Sequence, residues 1–271
     1  MNKDFIYQQS TKNLKDDGNN IIYLSDPSEV SMDDEWFDLA NKDHFWMRWR
    51  FSLIRKYVDA LSKDNINILE VGCGNGINMQ MFESELGLTI DGCDLNEIAL
   101  KKIKDVHGKK YLYNIFDYSH QMLDKYDVIL LLDVIEHIEN DSEFIETALK
   151  CLKINGSAII SVPAHHILFC KYDKLMGHVR RYNKKELKTL LTNLGLQIEY
   201  ITYWGLFLVP VLFLRKFILI FTKKGIAEIG FRSPNPIINN AFLSLMKIEN
   251  KLFTRPIIGT SLFVAVKKIR D

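Results

Sequence analysis

The chain has few cysteines, almost no net charge and no long uninterrupted apolar run. Its four cysteines, Cys73, Cys93, Cys151 and Cys170, form no C-x-x-C pair. That argues against a disulfide framework and for a reducing compartment. The 35 Lys and Arg residues are nearly balanced by 34 Asp and Glu, for a formal charge of +1. No broad basic field is available to hold nucleic acid. The polar start, Met1-Asn2-Lys3-Asp4-Phe5, lacks an apolar signal core, so the sequence predicts a cytoplasmic protein. There is no internal repeat and no low-complexity tract. What remains is a chain of 271 residues, long enough for one large α/β domain with additions.

Apolar runs at 66–71, 89–93, 111–115, 126–132 and 157–162 read as strands, with helical patterns between them. One such helix is expected over 141–154, stopped by Asn155-Gly156. Alternation of this kind predicts a mostly parallel sheet wound on both faces. Two further strands are expected at 197–203 and 260–267, for seven in all. Residues 1–30 are polar and read as a loose arm. Residues 33–61 repeat apolar side chains at three and four, among them Trp36, Leu39, Trp46 and Trp49, and predict a helical extension.

The first strand runs into three glycines at alternate positions, Gly72, Gly74 and Gly76. Glycines here let the backbone turn sharply and approach a ligand that any Cβ would exclude. About twenty residues on, the second strand ends in Asp94, placed to accept both hydroxyls of a ribose. The pair implies a nucleoside-containing cofactor. The spacing is G-x-G-x-G, not the G-x-G-x-x-G of dinucleotide sites, and Glu70 precedes it. An acid there repels a pyrophosphate but orients a cationic or zwitterionic ligand.

Glu70-Val71-Gly72-Cys73-Gly74-Asn75-Gly76 resembles the first motif, E/D-x-G-x-G-x-G, of the class I S-adenosylmethionine-dependent methyltransferases. The resemblance implies a Rossmann-like methyltransferase fold, with the last two strands forming a hairpin that ends the sheet antiparallel. It implies S-adenosyl-L-methionine as cofactor, held by Glu70, Gly72, Cys73, Gly74, Asp94 and Leu95. Asp117, after the third strand, resembles the family's adenine-binding acid. Asp133-Val134-Ile135-Glu136-His137 resembles its D-V-I/L-E-H segment, so Asp133 and His137 are expected on the methionine side. Trp46 and Arg50 resemble an aromatic and Arg-bearing helix that covers the cofactor in this group. A plain amphipathic helix is the competing reading.

Segment 163–182 is dense in polar groups and ends in Gly177-His178-Val179-Arg180-Arg181-Tyr182. It resembles a G-H-x-R-R-Y pattern of a type 11/12 bacterial subgroup related to ubiquinone-pathway enzymes. His165, His166 and His178 are candidate general bases for a hydroxyl acceptor. Arg180, Arg181 and Tyr182 are candidate substrate-binding groups. A structural loop is the alternative for all of them. His165, His166, Asp173 and His178 match no standard ligand spacing, so no metal is expected.

Between the last two strands a short turn is replaced by about fifty residues, opening with the apolar run 206–221. Pro210, Arg215 and Lys216 interrupt it, and it is too short for a membrane span, which takes about twenty apolar residues. A lid, a homodimer surface and an interfacial membrane helix all fit. A second helix is expected over 237–253. The chain is therefore divided into a covering arm (1–62), a cofactor-binding core (63–204), a hydrophobic insertion (205–258) and a last strand (259–271). The sequence predicts methyl transfer to a small or lipid-linked acceptor, glycan or quinone-like, most readily at oxygen. The competing functions are a Rossmann-type nucleotide-dependent oxidoreductase or sugar-modifying enzyme, and a non-catalytic membrane-associated module.

Overall fold

The protein is described by a computed structural model over residues 20–28, 41–61, 66–222 and 234–270. Most of the N-terminal arm, Trp36, Leu39 and the 62/63 boundary lie outside the described residues.

An eight-stranded sheet has the order β1-β4-β3-β2-β5-β6-β8-β7. Its strands are β1 (Ile21–Tyr23), β2 (Ile68–Val71), β3 (Asp91–Asp94), β4 (Lys110–Leu112), β5 (Tyr126–Leu132), β6 (Leu152–Pro163), β7 (Leu196–Trp204) and β8 (Ser261–Lys268). All pairings from β1 to β6 are parallel, and β8 runs antiparallel between β6 and β7. The doubly wound sheet and its antiparallel hairpin match the expectation. Central β2 and β5 are almost wholly buried, which is why they read as continuous apolar runs without alternation.

Two expectations are corrected. Ile21–Tyr23 is not part of a loose arm but an eighth strand, paired with Lys110–Leu112 at the sheet edge. Three residues inside a polar stretch give too short a pattern to register. The helix expected over 141–154 ends at Ala148, and the strand begins at Leu152. Asn155, at φ +63°, does not stop a helix but lies in an irregularity where the register slips between Tyr126 and Val128.

The helices are α1 (Phe45–Ala60), α2 (Ile77–Leu86), α3 (Glu97–Lys102), α4 (Asp141–Ala148), α5 (Lys171–Leu175), α6 (Lys184–Asn193), α7 (Val209–Phe221) and α8 (Pro236–Leu252). Two apolar clusters occupy the sheet's faces. One gathers Ile129, Leu131, Phe144, Ile145, Leu187 and Val264. The other gathers Trp49, Ile54, Phe82, Leu130, Trp204 and Phe263, and α1 packs into it. The expected insertion is present. Its α7 leaves β7 through a turn at Leu206–Leu208, and its α8 returns to α1. Phe45 stacks on Phe242 at 4.7 Å, and Trp46 lies 4.3 Å from Trp204.

Candidate active site

Beyond the carboxyl ends of β2, β3 and β5, a cavity of about 640 Å³ opens under α1, α7 and α8. Open α/β sheets bind ligands at this end. Trp46, Arg50, Glu70, Gly72, Cys73, Gly74, Asp94, Leu95, Asp133 and His137 all line it. These residues lie as much as 91 positions apart in sequence, and the fold brings them together. Asp117 does not join them: it is exposed, and Asn114, Ile115 and Phe116 hold that part of the wall.

The glycine turn is shaped by close approach. Gly72 sits at φ +76°, and a Cβ there would lie 2.6 Å from Val134 Cγ2. The turn is tied to the next strand, since the Gly72 and Cys73 N–H groups donate to Cys93 O at 2.8 and 3.1 Å. Asp94 completes the cradle. Its Oδ2 accepts from Gly74 N and its Oδ1 from Asn96 N, each at 2.8 Å. Every carboxylate oxygen has two lone pairs, so even with the Leu95 N–H also acting on the group Asp94 keeps capacity for the ribose hydroxyls.

Glu70 is buried, with Oε1 accepting from Asn78 Nδ2 and Oε2 unpartnered. Burial, offset only partly by Asn78 and Arg50, pushes its carboxyl up to about 7. Arg50 is also buried and forms an ion pair with Asp133, while its Nε is unpartnered. Asp133 itself sits at φ +56°, a backbone region costly for a non-glycine residue. Two buried polar atoms without partners, beside a glycine cradle, are what a zwitterionic nucleoside ligand requires. The residues present thus fit S-adenosylmethionine.

The acceptor side is built from segment 163–182 and the turn after β5. His178 Nδ1 meets Asp173 Oδ1 at 3.2 Å, and its ring packs edge-on to His137 at 4.6 Å. Arg181 donates to the same Asp173 oxygen at 2.8 Å and to Ala164 O at 3.2 Å. Burial raises Asp173, but bonds from His178 and Arg181 outweigh it and hold the carboxyl well below its usual range. Burial, with His178 alongside, drives His137 down to about 3, so His137 is neutral.

Several expected acceptor residues are redirected, a correction to the sequence reading. His165 stacks on Tyr203 at 4.9 Å, and His166 pairs with Glu186 at 2.8 Å. Neither lines the cavity. Arg180 binds Asp141 and the Glu139 carbonyl, and the Tyr182 hydroxyl donates to Asp141 at 2.7 Å. Both are spent on the scaffold. Arg181 reaches the wall but is engaged by Asp173. Of the three histidines offered as bases, the structure leaves His178 at the cavity.

The sequence reading gave Glu136 no chemical role. It is fully buried, both its carboxylate oxygens lack a hydrogen bond, and Oε1 is 3.9 Å from His178 Nε2. Burial, and then the neighbouring Asp133, push its carboxyl well above the usual range. Glu136, His137 and His178 each offer one ligand atom, all within 4.8 Å of one another. This set, not the one built on His165 and His166, has metal-ligating geometry among the described residues. Tyr172, Met176, Thr260 and Ser261 complete the wall. Their types carry no signal in sequence.

A family profile described as a methyltransferase domain matches residues 46–201. That is more than half of the chain. The chain belongs to this methyltransferase-domain family. It is 35% identical over 145 residues to a ubiquinone biosynthesis O-methyltransferase of Pelagibacter ubique, a match covering 47% of this chain and 59% of that one. It is 31% identical over 163 residues to a protein of the same name from Rickettsia canadensis, covering 54% and 68%. Across curated relatives of this name the match spans between 37% and 68% of their length. Among solved structures, the plantazolicin methyltransferase BpumL in complex with SAH superposes with a TM-score of 0.55, at 19% identity, over 87% of this chain and 88% of that one. That likeness shows the shared fold. The methyltransferase reading is met at the level of family and fold. Neither the oxidoreductase nor the non-catalytic reading gains support.

Proposed function

We propose that this methyltransferase-domain protein transfers a methyl group from S-adenosylmethionine to a hydroxyl of an aromatic, quinone-like acceptor. One observation carries the reading. A single cavity joins the cradle of Glu70, Gly72, Gly74 and Asp94 to a histidine, His178, fixed by a buried carboxylate. Both curated relatives named above are O-methyltransferases of ubiquinone biosynthesis, which supports an oxygen acceptor.

When bound, the cofactor supplies an electrophilic methyl on a sulfonium, and the carbon–sulfur pair leaves with sulfur. The protein's own residues do the remainder. Asp94 receives the ribose hydroxyls, and Glu70 with Arg50 receives the amino-acid end. With Asp173 accepting from His178 Nδ1–H, Nε2, 3.9 Å from Glu136 Oε1, is the ring nitrogen without a proton. Nε2 takes the acceptor's hydroxyl proton as the oxygen bonds to carbon. Apolar walls from Trp46, Leu212 and Phe242 exclude water, and orientation does the rest of the work.

His178→Gln tests the assignment, with a catechol bearing a short isoprenoid chain as acceptor and S-adenosylhomocysteine release as readout. Loss of a general base costs roughly 10²–10⁴ in kcat. The expected result is a fall of that size with unchanged cofactor affinity. Activity within about twofold of wild type would remove His178 from the chemistry.

A further inference from the structure

Helix α7 is apolar on both sides, and only one side is used. Leu219 is buried, and Leu212 and Arg215 face the cavity. The other side presents Phe213, Leu214, Phe217, Ile218, Ile220 and Phe221, each at least 44% exposed. At 3.6 residues per turn they cover about half the circumference. No polar side chain interrupts that half. Monomeric proteins rarely leave such a face open without a partner.

Charge identifies the partner. The described residues of the insertion, 205–222 and 234–258, carry five Lys or Arg and one acid. The acid is Glu249, which is buried and bonded to Gly205 N and Phe207 N at 3.0 and 3.1 Å. Among the described residues of the insertion the exposed charge is therefore wholly positive, on a chain whose net charge is only +1. Lys247, Lys251 and Arg255 are exposed. Lys171 caps the end of α7 through Ile220 O and Thr222 O, and Lys216 reaches Ile167 O at its border. A second copy docked through the same face would bring like charges together. An anionic lipid surface would neutralise them.

We infer that the α7–α8 insertion docks on an anionic bilayer, with α7 lying in the interface plane. The α7 helix has 13 residues, about 20 Å at 1.5 Å per residue, and no helix among the described residues is long and apolar enough to cross a membrane. A short apolar face flanked by cations is the interfacial arrangement. The inner side of the same helix walls the cavity. A lipid-borne acceptor therefore has a route from the bilayer to His178 that does not pass through water. Docking itself holds whether or not the acceptor is a quinone-like lipid.

The test is flotation of the protein with vesicles of phosphatidylcholine alone and with phosphatidylglycerol added, beside Leu214→Asp/Phe217→Asp and Lys247→Glu/Lys251→Glu. Neither variant touches a cavity residue, so S-adenosylmethionine affinity by calorimetry reports whether each is folded. Wild type should float with the anionic vesicles, and added salt should release it. The aspartate pair should lower partitioning by about tenfold or more, and each cation removed should lower it about fivefold. Wild type that stays down with anionic vesicles overturns the inference. So does a folded aspartate pair that floats as well as wild type. Dimerisation that Leu214→Asp/Phe217→Asp breaks, without flotation of wild type, also overturns it and gives the face to a second copy.

Discussion

At the scale of the residue, the site depends on acids whose burial is deliberate. Glu70 illustrates the consequence. Its pKa in the fold is about 7, against an ordinary 4.5. The folded state thus binds a proton more tightly than the unfolded chain, so its contribution to stability falls as pH rises from about 4.5 through 7, then levels. Glu70→Gln has no such loss. Above pH 7 the ligand-free variant should therefore be more stable than wild type, by up to roughly 3 kcal/mol. Near pH 4 the two should melt together. The same change should weaken cofactor binding. Thermal melts across pH check the first point; a variant less stable than wild type at pH 8 would contradict it.

The residue scale is also where the sequence was easiest and hardest to read. Glu70, Gly72, Gly74 and Asp94 stand at a strand end and its neighbour, where topology alone fixes their direction. His165, His166, Arg180 and Tyr182 lie in a long connection. There the sequence shows which groups are available but not which way they point. For Asp173 and Arg181 the structural-loop reading holds, since Arg181 pairs with that carboxylate. Glu136 resembles a helix cap in sequence. Only the packing around it shows that its oxygens are buried without hydrogen bonds.

At the scale of the element, the insertion is pinned by one carboxylate. Glu249 of α8 accepts from the two backbone N–H groups that begin the turn into α7. Glu249→Ala leaves those donors without a partner in a buried setting. The expected cost is about 2 kcal/mol or more, and amide exchange should accelerate at Gly205 and Phe207. Unchanged exchange there would show that α7 is held by its apolar contacts alone. Helix boundaries set by tertiary contacts escaped the sequence. The end of α4 at Ala148 is decided by the register of β6 against β5, not by the later Asn155-Gly156. Strands buried on both faces were read correctly because burial leaves a continuous apolar run. The three-residue β1 was not, because its pairing with β4 is the whole of its signal.

At the scale of the molecule, a parallel sheet supplies the cofactor cradle and an insertion supplies the roof. The roof has two faces, one closing the cavity and one open. The nucleotide-binding frame was legible from motif spacing. The roof's division into inner and outer faces was not, because apolar side chains lie on both sides of α7 and only its packing on Tyr172 and the cavity distinguishes them.

The central claim is that this cavity holds S-adenosylmethionine on Asp94. Titration calorimetry with S-adenosylmethionine, S-adenosylhomocysteine and a nicotinamide dinucleotide, on wild type and Asp94→Ala, tests it most directly. The account predicts that wild type binds the first two and not the third. Asp94→Ala should lose about tenfold or more in affinity, since two ribose hydroxyls then lack an acceptor. Binding of the dinucleotide instead, or near-equal affinity in the variant, would contradict it.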